Sequence, residues 1–414
     1  MGEFFNVVES KKVYEFISNL KSIEDSETVD IRESISRVSS ENVVAGEDLP
    51  GFDRSTVDGY AVKSSDVFGA SVSTPAMLRV VGEIKIDEEY AGALKEGEAL
   101  KVPTGGKLPD GADSVVMIED TREAGEYIEV FKPVAPGQNV MRKDEDVSKG
   151  TIVLKKGTRI NIGYVALLLN LGIIKLRVSR KLKVGIISTG DEVIEPELER
   201  KFPHVRDSNT HSLKVFLERL GYKVNRYGIS RDDFEELRSF MLRSFEEDDV
   251  TVSAGGSSVG VRDYTVEAID SIGKPGVVIH GVLVSPGKPT IFGVVDDHPF
   301  IGLPGHPSSF TLSAFTFLLP LLKRLSGETD WMLRPTGKFR ITDNVFSRQG
   351  RETFVWSKRV YEDGEIFVKP LMFKSGMISP AAQADGFIRI PAGVEGYYEG
   401  DFVEFYSISE SLLI

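Results

Sequence analysis

Four loops rich in glycine and proline, between residues 182 and 310, carry residue types that could bind an anion. Each follows a short apolar run, and their sequences are STGDEV, SAGGSSVGVRDYT, SPGKPTIF and GLPGHPSS. Because glycine has no Cβ, backbone N–H groups in such loops can approach a phosphate or another oxyanion closely. In an open parallel sheet, ligands bind beyond the carboxyl ends of the strands. The four loops therefore predict a single pocket for an anionic substrate.

Periodicity predicts the α/β sheet that would position these loops. LKVGIIS, KVNRYGI and DVTVS are typical of buried strands. After Asn209, apolar residues recur with helical spacing from Leu213 to Leu220, and Gly221 ends this helix. Further helices are predicted over residues 232–245, 263–272 and 307–325. Strands that alternate with helices of this length indicate right-handed parallel crossovers.

Length and composition exclude several classes of function. The chain has 414 residues, which is enough for roughly three or four domains of ~100–150 residues. Its net charge of −13 argues against nucleic acid as a partner, because phosphate-backbone binding needs a basic face. The absence of cysteine excludes thiolate nucleophiles, disulfides and Cys-ligated metal centres.

Targeting signals are not apparent in the sequence. The N-terminal MGEFFNVVESKK lacks the basic start and apolar core of a signal peptide. The longest apolar run, FTLSAFTFLLPLL, is too short to cross a bilayer. We therefore expect a cytoplasmic protein with no membrane contact.

The sequence predicts a multidomain α/β plus β architecture. Residues 46–144 are rich in Gly, Pro and short β-type runs and predict an inserted β domain. The flanking residues 1–45 and 145–176 are more mixed and would form a discontinuous N-terminal linker domain. Residues 177–330 would form the central α/β domain, and residues 331–414 a C-terminal β domain resembling a barrel.

Nine strings, in order, resemble those of the MoeA family, the molybdopterin molybdenumtransferases, which includes the E domain of gephyrin. They are DLPGFDRSTVDGYAV, VPTGGKLPDGADSVVMIED, GQNVMRKDEDVSKG, ISTGDEV, RDSN, RDD, AGGSSVGVRDYT, PGKP and GLPGHPSS. The resemblance implies an elongated homodimer of four-domain subunits, each with a central MoaB/MogA-like parallel α/β sandwich domain. It implies an enzyme that inserts molybdate into adenylylated molybdopterin and releases AMP with the help of Mg²⁺. It also implies transient contact with a molybdopterin adenylyltransferase.

The same resemblance implies roles for individual residues. The implied catalytic carboxylates are Asp58, Asp146, Glu192, Asp232 and Asp263, and Asp58, Asp232 and Asp263 among them would hold Mg²⁺. The implied substrate-binding residues are Thr104, Gly105, Ser188, Thr189, Gly190, Asp191, Asn209, Gly255, Gly256, Ser257, Gly260, Gly287, Lys288, Pro304, Gly305 and His306.

Electrostatics explains why such residue types are needed. Molybdate and the adenylate are both anions, and two unit charges ~4 Å apart repel by about 4 kcal/mol at an effective dielectric near 20. Lys288, the amides of the glycine loops and the helix that starts at Pro307 could offset this repulsion.

Four positions depart from the family pattern. His306 stands where relatives usually have asparagine, Ser285 and Val266 stand where a lysine is common, and Met141 replaces an arginine. These changes leave the oxyanion preference open, including tungstate over molybdate.

Simpler interpretations of the motifs are also open. Asp191 and Asp232 could cap helices or turns, and Asp58 could belong to an ordinary turn. Thr104 and Gly105 could form a hairpin turn. The string GVLVSPGKPT is not a P-loop, because proline follows the lysine where Ser or Thr should bind Mg²⁺.

Two rival functions follow from the same resemblance. The α/β domain alone resembles the molybdopterin adenylyltransferases, but the DGYAV and PTGG strings lie outside that single-domain family. A non-catalytic scaffold like gephyrin is the other alternative, although no fused domain or long linker supports it.

Overall fold

The computed structural model describes residues 7–255, 264–372 and 374–408. The chain forms two compact units. One comprises Met1–Glu41, Lys156–Ala166 and Ile174–Ile414, and the other comprises Asn42–Lys155 and Leu167–Ile173. The division into four domains with the boundaries given above stays a prediction.

The first eleven strands and three short 3₁₀ turns precede residue 155. The strands are β1 (Ser26–Asp30), β2 (Val43–Val44), β3 (Arg54–Ser55), β4 (Gly59–Val62), β5 (Ala76–Glu83), β6 (Glu98–Val102), β7 (Ser114–Met117), β8 (Thr121–Ala124), β9 (Tyr127–Val130), β10 (Val140–Met141) and β11 (Ile152–Leu154). The 3₁₀ turns are Ile31–Glu33, Ser64–Val67 and Ile118–Asp120.

The next ten strands belong to the central region. They are β12 (Lys175–Ser179), β13 (Lys183–Thr189), β14 (Val193–Ile194), β15 (Val205–Arg206), β16 (Lys223–Ser230), β17 (Val250–Ala254), β18 (Pro275–His280), β19 (Val284–Ser285), β20 (Ile291–Val295) and β21 (His298–Leu303).

The C-terminal region adds seven strands, and the helices are distributed along the chain. The strands are β22 (Gly337–Ile341), β23 (Val345–Phe346), β24 (Glu352–Glu362), β25 (Glu365–Pro370), β26 (Gly386–Ile390), β27 (Gly396–Tyr397) and β28 (Phe402–Ser407). The helices are α1 (Ser10–Asn19), α2 (Ile162–Asn170), α3 (Ser208–Arg219), α4 (Phe234–Glu247), α5 (Tyr264–Ile272), α6 (Pro307–Ser313), a π-helical turn (Ala314–Leu318), α7 (Leu319–Leu325) and α8 (Ser379–Gln383).

The unit containing residues 42–155 is built on one sheet with strand order β7-β4-β6-β5-β9-β8. Neighbouring strands are antiparallel except β5 and β6, which are parallel. Apolar side chains such as Tyr60, Leu78, Val116 and Ile128 form its core. This sheet confirms the predicted inserted β module.

The other unit contains the central sheet, with strand order β16-β13-β17-β21-β20-β18. Strands β16, β13, β17 and β21 are parallel to one another. Strands β17 and β21 are buried along their whole length, as expected for a parallel sheet covered on both faces. The predicted α/β domain is therefore confirmed.

Two pairs of neighbouring strands in this sheet, β18–β20 and β20–β21, are antiparallel and depart from the predicted parallel crossovers. Strands β20 and β21 are antiparallel, with Val295 opposite His298. Asp296 and Asp297 between them both have positive φ, which is the geometry of a tight hairpin turn. The chain therefore needs no helix at this connection.

The C-terminal strands close into a barrel in the order β24-β25-β22-β28-β26, and β26 pairs back with β24. This confirms the predicted barrel-like domain. Strand β19 of the central region adds to it in parallel, with Ser285 opposite Thr353. Because Trp356, Phe387 and Tyr406 of the barrel pack in the same core as β13, β17 and α6, barrel and central sheet share one hydrophobic interior.

Within the described ranges, no helix is both long enough and apolar enough to span a bilayer.

Candidate functional site

A cavity of about 1120 Å³ lies where the parallel strands of the central sheet end. Strand β13 ends at Thr189, β17 at Ala254 and β21 at Leu303, and the loops that follow line the cavity. Most of the predicted binding residues meet there. The predicted binding residues that line it are Ser188, Thr189, Gly190, Asn209, Gly255, Gly287, Lys288, Pro304, Gly305 and His306, and the predicted catalytic residues Glu192 and Asp232 line it as well.

Close packing requires glycine at two of these loops. Gly255 has φ +105°, and a Cβ there would lie 2.6 Å from the Thr189 carbonyl oxygen. Gly287 has φ +112°, and a Cβ there would lie 2.6 Å from Ser313 Oγ. A side chain at either position would displace its neighbour, so the glycines keep the strand ends close together.

Carboxylates form one part of the cavity. The backbone N–H of Asp232 donates to Asp191 Oδ1 over 3.1 Å. Burial and the nearby charges of Asp191 and Glu192 raise the pKa of the Asp232 carboxyl. The N-cap of α4 is Asp233, whose carboxylate accepts from Glu236 N–H over 2.9 Å, so Asp232 does not cap this helix. Asp191 itself is not among the lining residues and serves as the acceptor for Asp232.

Asp207 is a nearly buried carboxylate in the cavity wall that the sequence analysis did not single out, although it lies in the RDSN string. It caps α3 by accepting from Thr210 N–H over 3.0 Å, and Arg226 Nη2 donates to it over 2.9 Å. Burial opposes its ionisation, but the hydrogen bonds from Thr210 and Arg226 hold the pKa of Asp207 below its usual value. Next to it, Asn209 Nδ2 donates to Gly305 O over 2.8 Å and ties α3 to the GLPGHPSS loop.

Cationic side chains line the same cavity. They include Lys288, predicted from PGKP, and three arginines that were not predicted: Arg206, Arg231 and Arg351. Arg231 belongs to the RDD string, so the motif itself could have pointed to it. Arg351 lies in the C-terminal region just before β24, and no local pattern links it to the loops of the central sheet.

The C-terminal region contributes a second segment to the cavity. Ser375 and Gly376 line it, and Ser375 Oγ lies 3.4 Å from His306 Nδ1. Ser285, at the start of the SPGKP loop, lines it as well. An acidic chain thus gathers Lys288, Arg231 and Arg351 around one opening, the arrangement expected for an anionic ligand.

The remaining predicted residues of the N-terminal region lie in the other compact unit. Asp58 Oδ1 accepts from Thr104 N–H over 2.8 Å and from Thr104 Oγ1 over 3.1 Å, and these hydrogen bonds lower the pKa of Asp58. Gly105 N–H donates to Ser55 O over 2.8 Å. These hydrogen bonds bring the segment of Asp58, between β3 and β4, next to the turn of Thr104 and Gly105 after β6. Asp146 is an exposed loop residue whose N–H donates to Leu49 O over 3.0 Å.

The predicted metal site stays a prediction. Among the described residues, no group of three or more His, Asp or Glu side chains is arranged to hold a metal ion. Of the predicted ligands, Asp58 and Asp232 belong to different units and Asp263 lies outside the described residues. The predicted binding residues Gly256, Ser257 and Gly260 also lie outside them.

Three family models match successive parts of the chain. They are the MoeA N-terminal region (domain I and II) over residues 8–172, the "Probable molybdopterin binding domain" over 185–324, and the MoeA C-terminal region (domain IV) over 338–408.

Individual proteins match over nearly the whole length. A protein of Methanocaldococcus jannaschii named for molybdopterin biosynthesis is 38% identical over 96% of this chain and 95% of its own length. A molybdopterin molybdenumtransferase of Staphylococcus aureus is 29% identical over 96% of this chain and 95% of its own length.

A solved structure agrees with these matches. The crystal structure of the molybdopterin biosynthesis MoeA protein from Pyrococcus horikoshii OT3 is 31% identical, with a TM-score of 0.82 over 97% of this chain and 100% of that chain. This match includes the central sheet, the inserted β module and the C-terminal barrel. The chain belongs to the MoeA family of molybdopterin biosynthesis proteins.

Proposed function

We propose that this chain is a molybdopterin molybdenumtransferase, which inserts molybdate into adenylylated molybdopterin and releases AMP. One observation carries the proposal: a single cavity is lined both by cations, Lys288 and Arg351, and by carboxylates, Glu192 and Asp232. Its volume of about 1120 Å³ suits a ligand as large as a pterin nucleotide.

The cations would bring two anions together. Molybdate and the diphosphate of the adenylate repel each other, and fixed positive charge in a partly dehydrated cavity offsets that repulsion. Lys288 and Arg351 come from different parts of the fold, one from a loop of the central sheet and one from the start of β24. Binding of the oxyanion would therefore depend on both.

The proposed reaction balances without an external oxidant or reductant. A water molecule attacks the adenylate phosphorus and gives a proton to a carboxylate, the phosphoanhydride P–O bond breaks, and AMP leaves with the water oxygen while the pterin keeps its own phosphate. Two metal–sulfur bonds form with the dithiolene. One oxo group of molybdate leaves as water with the two thiol protons.

Asp232 is the carboxylate best suited to accept a proton from the attacking oxygen. Burial and the charges of Asp191 and Glu192 raise its pKa, which makes it a stronger base than an ordinary aspartate. The same excess of negative charge suits a hard divalent cation with oxygen ligands. The predicted Mg²⁺ ligands stay Asp58, Asp232 and Asp263, and a bound cation would supply positive charge at the adenylate phosphate.

Three further expectations belong to this proposal. The family resemblance leads us to expect a homodimer, and a dimer mass in solution would support it. Cytoplasmic residence stays an expectation of the proposal. Transient contact with a molybdopterin adenylyltransferase would deliver the labile adenylate.

The direct test is incubation with molybdopterin adenylate, Mg²⁺ and either molybdate or tungstate. We expect release of AMP together with metal-loaded pterin, both dependent on the oxyanion and on Mg²⁺. Faster turnover with tungstate would change the proposed metal, and consumption of ATP with free molybdopterin would favour an adenylyltransferase. A stoichiometric protein partner without AMP release would favour a scaffold.

Substitution of Arg351 tests whether the cations that line the cavity bind molybdate. Removing the charge in Arg351→Met should raise the KM for molybdate by about tenfold or more, because a charge-assisted hydrogen bond is lost. Arg348, three residues earlier, is exposed and does not line the cavity, so Arg348→Met is the control. Equal molybdate affinity in the two variants would contradict a role for Arg351.

A further inference from the structure

A buried hydrogen bond joins the C-terminal barrel to the start of α6. Trp356 on β24 and Ser308 on α6 are both completely buried. The indole Nε1–H of Trp356 donates to Ser308 Oγ over 2.7 Å. A buried indole N–H without an acceptor is costly, so this contact fixes Trp356 and the first turn of α6 relative to each other.

The first turn of α6 forms part of the cavity wall. His306, Pro307 and Ser309, which flank Ser308, all line the cavity. The backbone N–H of Ser308 also donates to Ser375 O over 3.3 Å. Trp356 does not reach the cavity itself, but it holds the residue at the centre of this wall.

The same strand of the barrel also contacts the segment that leads to Lys288. Strand β24 pairs with β19, and Glu352 N–H donates to Leu283 O over 3.0 Å. Strand β19 leads directly into the loop that carries Lys288. A single strand thus fixes the segment before Lys288 through its backbone and the segment after His306 through Trp356.

Packing leaves the Trp356 ring little freedom. Phe315, beyond α6, meets it edge-on at 6.5 Å between ring centroids with an interplanar angle of 89°. Phe387 of the barrel meets it at 6.1 Å and 86°. Since the ring is held by both sides of the shared core, its N–H has one direction, toward Ser308.

We propose that Trp356 and Ser308 are positioning residues that set the distance between the α6 wall and the Lys288 loop, and with it the affinity for the oxyanion. The inference rests on the proposed function, because it assumes that molybdate binds between these walls. By this proposal, the C-terminal barrel contributes to oxyanion binding as well as to the stability of the fold.

Kinetics of three variants test the proposal. Trp356→Phe keeps an aromatic ring but removes the N–H, and Ser308→Ala removes the acceptor. Each should raise the KM for molybdate by about fivefold or more while changing kcat much less, because a positioning bond is lost and no reacting group is removed. The double variant should be no worse than the poorer single variant, because both remove the same bond.

Trp331→Phe is the matched control. Trp331 is the other tryptophan of the chain, half-buried and packed against the same core, and it does not line the cavity. Its substitution should leave the KM unchanged. If Trp356→Phe does not fold, Ser308→Ala alone carries the test, since it removes a single oxygen atom.

Tryptophan fluorescence provides a readout independent of turnover. In the Trp331→Phe background, Trp356 is the sole tryptophan, and titration with molybdate should change its emission. Adding Ser308→Ala should weaken molybdate binding in this titration by about the same factor as the KM. Molybdate affinity equal to that of wild type in folded Ser308→Ala overturns the positioning role. Absence of AMP release by the wild type would instead overturn the proposed function, and the fluorescence titration would still decide the positioning role.

Discussion

Gly255 is the position where a single methyl group should separate an effect on the site from a general effect on the fold. It follows β17, and its N–H donates to Leu303 O over 3.1 Å at the end of β21. An alanine Cβ at this position would lie 2.6 Å from the Thr189 carbonyl oxygen and 2.9 Å from Thr189 Oγ1. The residue is held between two strands, so neither neighbour can move without disturbing the sheet.

The expected magnitude has two parts. Holding alanine at φ +105° costs about 1–2 kcal/mol, and relieving the contact with Thr189 costs about 1–3 kcal/mol more. Gly221 supplies the control, because it also has a positive φ, +92°, but an added Cβ meets nothing within 4 Å. Gly221→Ala should therefore show the conformational part alone. We expect Gly255→Ala to be the less stable of the two by about 2 kcal/mol.

Urea unfolding of both variants measures this difference, and steady-state AMP release measures its effect on the site. Gly255→Ala should also lose molybdate-dependent turnover under conditions where the protein is still folded, because Thr189, which the added Cβ would displace, lines the cavity. Gly221→Ala should turn over like wild type. Equal stability of the two variants, together with normal turnover of Gly255→Ala, would refute the close-packing argument.

Three other predictions concern ionisable groups. His298 is buried with Nε2 2.9 Å from Thr251 Oγ1, and burial lowers its pKa from 6.5 to about 4. Between these two pKa values the unfolded chain binds more protons than the folded one. The free energy of unfolding therefore falls as the pH drops from about 6.5 to about 4, by up to about 3 kcal/mol. In His298→Gln this part of the pH dependence should vanish in urea unfolding at several pH values, and an unchanged slope would contradict the assignment. The raised pKa of Asp232 means that the free energy of unfolding falls as the pH rises through the titration of this carboxyl. Asp232→Asn should therefore raise the Tm at pH 7 while abolishing AMP release. A lower Tm would contradict the repulsion of Asp232 by Asp191 and Glu192. Asp58→Asn should abolish AMP release without unfolding the protein. If Asp58→Asn is active and Asp58→Ala is inactive, the role of Asp58 is to accept the hydrogen bonds from Thr104 and not to act in catalysis.

Several elements of the fold follow from local pattern. The spacing of Leu213 and Leu217 predicts α3, and Gly221 after it has the positive φ expected of a helix C-terminal glycine. The apolar runs around residues 183–189 and 250–254 predict buried strands, and both are buried almost completely. Such features depend on residues within one or two turns of each other, so the sequence carries them directly.

Other features depend on contacts between distant parts of the chain. No local pattern predicts that the Asp191 side chain accepts from the N–H of Asp232, 41 residues away. Arg351 was not predicted either, because the pairing of β19 with β24, which joins distant parts of the chain, brings the barrel to the loops of the central sheet. No periodicity marks such a contact, since each strand has the same pattern whatever its neighbour is.

The sequence by itself determined the types of helix and strand, the glycine loops at the strand ends and the membership in the MoeA family. It could do so because periodicity, turn chemistry and motif order are properties of neighbouring residues. Only the tertiary structure decided which charges share the cavity and that Trp356 of the barrel holds its wall. These facts depend on how buried surfaces fit together across more than 40 residues of chain, where side-chain volume and hydrogen-bond direction select the partner.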